Sequence, residues 1–321
     1  MKTFLKTILL FALLGVLPLL LPSYFTGILI RIMILIIFAM SLDLLMGYTG
    51  LTPLGHAAFF GISGYTMALL SLKIFHGSMP FIGFAAGIVA AILCAAILGL
   101  IVVRTKGVYF MMVTLALGQM FWGLAVKWQQ LTGGTDGLAG ISRPSITFAS
   151  LNFSKEINFF YFVLVLFGLS YFIMSLLLGS PFGHTLIGIR ENEKKMEILG
   201  FNTWLHKYIA YIIAGTFAGL AGMLDVYYYQ FVSPEILDIG NSIGALIAVI
   251  LGGSGRLFGS VIGAALYVCL EQFISAYTQR WVMVVGLLFI LVVIFAPLGL
   301  SPLLSRLWIS MRKPQKNRVG Q

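Results

Sequence analysis

The sequence predicts an all-α fold, a polytopic integral membrane protein of about ten transmembrane helices, each built on an apolar run near the length a bilayer requires. Three observations carry that reading. First, 60% of the 321 residues are hydrophobic and 9% are charged, and the mean hydropathy is +1.03, which excludes an ordinary soluble domain. Second, the apolar runs approach or exceed the roughly 20 residues that a helix needs to cross about 30 Å of hydrocarbon. Third, the spaces between them are too short for a globular domain of about 100 residues, so residues 1–321 read as a single transmembrane domain. The alternating segments of a membrane β-barrel are absent.

Taken in order, the spans fall at about 7–22, 26–46, 52–72, 79–102, 107–126, 158–178, 205–229, 240–253, 257–276 and 281–298. The first follows Lys2 and Lys6 and resembles a signal peptide. The chain reads LPSYFTG after it, not a small-residue cleavage site, so the expectation is an uncleaved span. The eighth is short. Gly215 and Gly219 form a G-x-x-x-G pair, and Gly255, Gly259 and Gly263 repeat that spacing; small residues four apart let helix backbones approach closely in lipid. Cys94 and Cys269 both lie in apolar runs and read as small core residues.

An even number of spans puts both termini on one side. If that side is the cytoplasm, fourteen Lys and Arg fall inside, among them Arg104, Lys106, Arg190, Lys207, Arg256 and the basic tail 304–321, against six outside, Arg31, Lys73, Lys127, Arg143, Lys155 and Arg280. The excess favours cytoplasmic termini. The net charge of +10 is therefore read as loop charge facing a lipid bilayer, and no nucleic-acid partner is inferred. The longest outer loop carries TGGTDG (132–137), a turn-rich sequence.

One stretch breaks the apolar pattern. Residues 183–203 hold six charged residues within eight positions, Arg190, Glu191, Glu193, Lys194, Lys195 and Glu197. Such an island protrudes into water. Leu186, Ile189, Met196 and Leu199 fall near one face at helical spacing, which predicts a short amphipathic helix ending at Gly200, a residue suited to a C-cap. A helix of this kind suits a groove in a soluble partner or the headgroup layer; three acids among three bases weigh against an anionic-lipid anchor.

A second stretch, Gly47–Tyr65, interrupts an apolar region with five glycines, Pro53 and His56. Gly47–Gly55 reads either as a broken or re-entrant segment beside a pathway or as a tight turn between two spans. Gly47, Gly50, Gly55 and His56, with Thr114 and Gln119 of the fifth span, are the candidate pathway residues; polar residues there also serve as hydrogen bonds between helices. Asp43, Asp225 and Glu271 lie in apolar stretches. A carboxylate at membrane depth is a functional candidate, and an ion-coupled transporter using Asp43 or Glu271 is the rival from a different class. The alternative is a paired or interfacial role.

Catalytic chemistry is not indicated. The sequence has no G-x-x-x-x-G-K-[ST] for nucleotide phosphates and no H-E-x-x-H or paired-Cys metal motif. Gly253-Ser-Gly255 lacks the spacing of a dinucleotide loop. No cofactor is expected on this chain, no metal site and no catalytic residue.

Five blocks in order carry a family resemblance: GYTGLTPLGHAAFFGISGYTMALL from Gly47, GVYFMMVTLALGQM (107–120), LTGGTDGLAGI (131–141), RENEKKMEILGFN from Arg190, and GLAGML followed by LGGSGRLFGSVIGAAL. Over about residues 35–297 the chain resembles the LivM-type permease subunits of ATP-binding-cassette importers for branched-chain amino acids. Related permeases move urea, amides or other small polar solutes. The resemblance implies that the chain binds no ATP itself. It implies cytoplasmic ATPase subunits that use ATP, a second LivH-like permease, and a periplasmic or extracellular substrate-binding protein, in a bacterial inner membrane. It also makes 183–203 the equivalent of the loop that docks on the ATPase, with Arg190, Glu191, Asn192, Glu193, Met196, Leu199 and Gly200 as its coupling residues. The chain departs from the family pattern at Met196 and Ile198, where alanine is common, and at Arg256 and Ser260.

Overall fold

The computed structural model describes residues 22–74, 80–146, 151–152 and 155–295, together with 15, 17–18 and 299. Most of the expected first span and all of the basic tail lie outside these. Helix α1 (Ser23–Asp43) continues into a π-helical turn, Leu44–Thr49. Then come α2 (Ala57–Leu69), α3 (Pro80–Val102), α4 (Val108–Lys127), α5 (Glu156–Gly179), α6 (Pro181–Ile198), α7 (Thr203–Tyr229), α8 (Ile239–Gly252), α9 (Leu257–Ser275) and α10 (Trp281–Phe295). Seven helices among the described residues are long and apolar enough to cross a membrane, and two shorter apolar ones are α8 and the start of α10. These match the second to tenth predicted spans.

Helix α1 is the axis of the bundle. From Ile36 to Asp43 every residue is buried, the pattern of a helix that is apolar all round because neighbours cover all its faces. Those neighbours are α5, α7, α8 and α9. Helix α7 packs on α2 and α3 as well, and its glycines set how closely. A Cβ on Gly219 would press on Ala91 Cβ and Ser63 of the facing helices, and one on Gly215 would meet Ala95 Cβ at 2.6 Å. The glycines of α8 and α9 make the second close contact: Gly252 lies against the Gly259 carbonyl, and Gly263 against that of Ala248. Both predicted small-residue motifs are thus helix–helix contacts, though Gly255 itself lies outside the helix, in the α8–α9 turn, at φ +77°.

The bundle has two distinct ends. Lys106, Arg190, Lys207 and Arg256 gather near one end, which we call the island end. Arg31, Lys73 and Arg143 bond to groups at the other: Arg31 to Glu271, Lys73 to the carbonyls of Gln130 and Leu131, Arg143 to those of Tyr227 and Tyr228. At this second end the TGGTDG turn, with Gly133 and Gly137 at φ +77° and +69°, leads into a strand (Leu138–Ala139) that pairs antiparallel with Phe231–Val232. The loop is thereby fastened to the end of α7.

Candidate functional site

The island begins inside the protein. In α6, Gly183, Thr185, Leu186 and Ile189 are buried. After them Arg190 extends its guanidinium back to the bundle, where Nη1 donates to the carbonyl of Gly47. Two residues later the helix breaks. Asn192 leaves helical geometry (φ −158°, ψ 93°), and its side-chain oxygen accepts the Lys195 N–H at 3.0 Å. That is an N-cap, which closes an orphan donor of a new helical segment. The segment ends in a Schellman motif: Phe201 N–H donates to Met196 O at 3.1 Å and Gly200 N–H to Glu197 O at 3.0 Å, with Gly200 at φ +87°. This left-handed position favours glycine, so the predicted stop is where the sequence placed it.

The single amphipathic face expected for the island is corrected by this break. Leu186 and Ile189 are buried in the first segment, whereas Leu199 is 70% and Ile198 is 85% exposed. Met196 folds back across the joint, its sulfur next to the space that Gly188 leaves open. The exposed apolar tip is therefore Ile198, Leu199 and Phe201, framed by the exposed charges of Glu191, Lys194, Lys195 and Glu197. In the sequence Ile198 stands out only as a departure from the family pattern.

Glu193 anchors the second segment. Its carboxylate accepts from Lys207 Nζ at 2.7 Å and Lys106 Nζ at 3.1 Å. Burial opposes its ionisation, but the hydrogen bonds and charges of Lys207 and Lys106 outweigh that and hold the carboxyl below its ordinary range. A depressed carboxyl pKa contributes stability that is complete above the unfolded value, here 4.5, and is lost as pH falls through the folded one. The Lys207 side chain is only 5% exposed, so Glu193→Ala leaves an ammonium buried without its partner. The expected cost is about 2 kcal/mol at neutral pH, read as a lower melting midpoint in detergent, with the difference from wild type shrinking below pH 4.5.

The Gly47–Gly55 stretch is a broken segment and not a tight turn. The π turn places Gly47 against the Gly255 backbone, and an added Cβ would overlap both Gly255 N and Asp43 Oδ1. Gly50 turns left-handed (φ +76°) beneath Arg190 Cγ. The chain then runs without helical structure to His56, packed between helices. Leu54 N–H donates to Thr114 Oγ1 at 3.1 Å, and Ala57 N–H to Ser242 Oγ at 2.8 Å. Gly55 lies directly on the Thr114 carbonyl and next to Gly118. His56 is fully buried, bonds Ser41 at 2.8 Å and stacks on Phe38. Gly50, Gly55, His56 and Thr114 thus belong to one packed unit joining α1, α4 and α8. Gln119 does not. It faces away from Thr114 and lines a shallow surface recess with Gly123 and Lys127.

Two groups that the sequence left open now have partners. Asp43, fully buried, accepts the Gly255 N–H at 2.8 Å. Glu271 accepts from Arg31 at 2.9 Å. Tyr48, from the same π turn as Gly47, accepts the Leu257 N–H at 3.1 Å through its hydroxyl; no local sequence signal marks this residue.

Comparison with known proteins adds a family. The family model described as the permease component of a branched-chain amino acid transport system matches residues 24–294. Among curated proteins, the chain is 32% identical over 311 residues to the high-affinity branched-chain amino acid transport permease LivM of Salmonella typhimurium, covering 90% of this chain and 71% of that one. The Escherichia coli LivM protein is 32% identical over 292 residues, 84% of this chain and 68% of that one. The LivH permease of Salmonella typhimurium is 26% identical over 280 residues, 82% and 89% respectively. No solved structure matches.

Proposed function

The chain belongs to the family of branched-chain amino acid transport permease components, and from that premise we propose that it is one membrane subunit of an ATP-driven importer of branched-chain or related small amino acids. The island end faces the cytoplasm, with both termini, as the distribution of Lys and Arg between the two ends supports. The capped tip, with Ile198, Leu199 and Phe201 outward, seats in a cytoplasmic ATPase subunit. That tip is the observation carrying the reading: apolar side chains on a water-facing charged element need a partner to cover them. The chain has no P-loop, so ATP is consumed by that partner. Relatives named both LivM and LivH support pairing with a second, similar permease. A binding protein delivers the solute to the opposite end, where the fastened 131–141 loop lies.

An ion-coupled carrier using Asp43 or Glu271 fits less well, because Asp43 Oδ1 is engaged by a backbone amide and Glu271 by Arg31. The test is reconstitution. The chain, its second permease, the ATPases and the binding protein are placed in liposomes, and labelled leucine uptake is followed with urea and acetamide as competitors. Uptake is expected to need internal ATP and to survive a protonophore. Uptake that persists without the ATPase subunits, or that leucine does not compete for while urea does, refutes the assignment or its substrate.

A further inference from the structure

Two polar ties meet on one turn of helix. From one side, the Gly255 N–H of the α8–α9 turn donates to Asp43 Oδ1 at 2.8 Å. From the other, Arg190 of the island donates to the Gly47 carbonyl. Gly47 and Gly255 are themselves in backbone contact, since a Cβ on Gly255 would lie 2.9 Å from Gly47 O and 3.0 Å from Arg190 Nη1. The turn between them is π-helical, held by the Gly50 N–H to the Leu45 carbonyl, a wider winding that recurs at functional sites. Its far end is Gly50, where the extended segment to Gly55 begins.

We propose that Asp43 is a positioning residue that couples the island to the buried segment, by locking the α8–α9 turn onto the π turn whose other face Arg190 holds. The inference rests on the importer reading and deepens it. Three elements distant in sequence, 43–50, 190 and 255, are bonded at one point, so displacement of the island by its partner bears on Gly47. Gly47 is three residues from Gly50, and Gly50 opens the segment that packs on α4 and α8. Without the Asp43 tie, the π turn keeps Arg190 and the Tyr48–Leu257 bond but loses its hold on the Gly255 amide, and the α8–α9 turn no longer follows it closely. ATP hydrolysis then proceeds without driving the solute. Asp43 is fully buried, and its effect passes through the backbone of Gly255.

The experiment uses the reconstituted complete importer, with Asp43→Leu, which removes the acceptor, and Asp43→Asn, which keeps an oxygen for Gly255. Three quantities are read: ATPase subunits retained on purification, leucine uptake, and ATP hydrolysed per leucine moved. Asp43→Leu is expected to keep its ATPase partners, to lose about ten-fold in uptake and to raise the ATP cost per leucine by a similar factor, while Asp43→Asn stays near wild type. If Asp43→Leu does not fold, Asp43→Ser, polar but too short to reach Gly255, takes its place. An unchanged ATP-to-leucine ratio in a folded variant lacking the acceptor overturns the inference. So does an Asp43→Asn that fails as badly as Asp43→Leu, because the backbone bond would then not be the cause. Wild-type liposomes that show no ATP-driven uptake would overturn the importer reading itself.

Discussion

Gly55→Ala is expected to abolish uptake and to destabilise the bundle. The methyl group has no free direction. An ideal Cβ at Gly55 overlaps the Thr114 carbonyl oxygen and lies 2.7 Å from its carbon. The obstacle is main chain inside a helix, which no rotamer change can clear. Overpacking of this kind costs about 1–3 kcal/mol, and the upper end applies when backbone meets backbone. Relief requires that the 50–56 segment move off α4, which breaks the Leu54–Thr114 hydrogen bond and strains the one from Ala57 to Ser242. The matched control is Gly123→Ala, five residues beyond Gly118 on the same helix. There nothing lies within 4 Å of the added carbon, and alanine gains up to about 1 kcal/mol in helix propensity. Melting in detergent and uptake in liposomes should both fall for Gly55→Ala and neither for Gly123→Ala. Equal melting of the two would show that the segment yields, contrary to its tight packing.

The second large effect is at the island tip. Ile198→Glu with Leu199→Glu is expected to leave the fold intact and to weaken binding of the ATPase by about 100-fold or more, since buried interface anchors carry about 2 kcal/mol or more each. Both side chains are exposed, at 85% and 70%, so glutamate there costs the isolated chain little. In an apolar groove each would bring an unpaired charge. The measurement is titration of the ATPase onto the permease in nanodiscs. If the tip instead lies in lipid headgroups, ATPase affinity will not change, and that result would sink the docking role.

The features legible in the sequence were those set by local composition. Seven helices long enough to cross a membrane and two shorter apolar ones followed from apolar length, the island from its charge, its end from Gly200, and the close helix contacts from glycine spacing. What was missed depended on geometry within a helix or on contacts distant in sequence. Thr114 and Gln119 are alike in being polar, yet five residues at 3.6 per turn put them about 140° apart, so only one of them faces the 50–56 segment. The island reads as one helix because its apolar residues keep the period. The signal for two was present in Asn192, a strong N-cap residue three positions before Lys195. Tyr48 and the exchange between Asp43 and Gly255 left no trace, since they join residues more than 200 apart in sequence.

Helix α1 and helix α9 are bonded twice, at opposite ends of the bundle: Asp43 to the Gly255 amide just before α9 begins, and Arg31 to Glu271 near where it finishes. Two fixed points on a pair of antiparallel rods forbid one kind of motion and leave another. Slippage of one rod past the other by a helical turn, about 5.4 Å, would break both ties at once. Pivoting of other helices about the line through the two ties breaks neither. The α1–α9 pair is thus braced against sliding, and motion in this subunit is to be sought first among α2, α4 and the segment between Gly50 and Gly55.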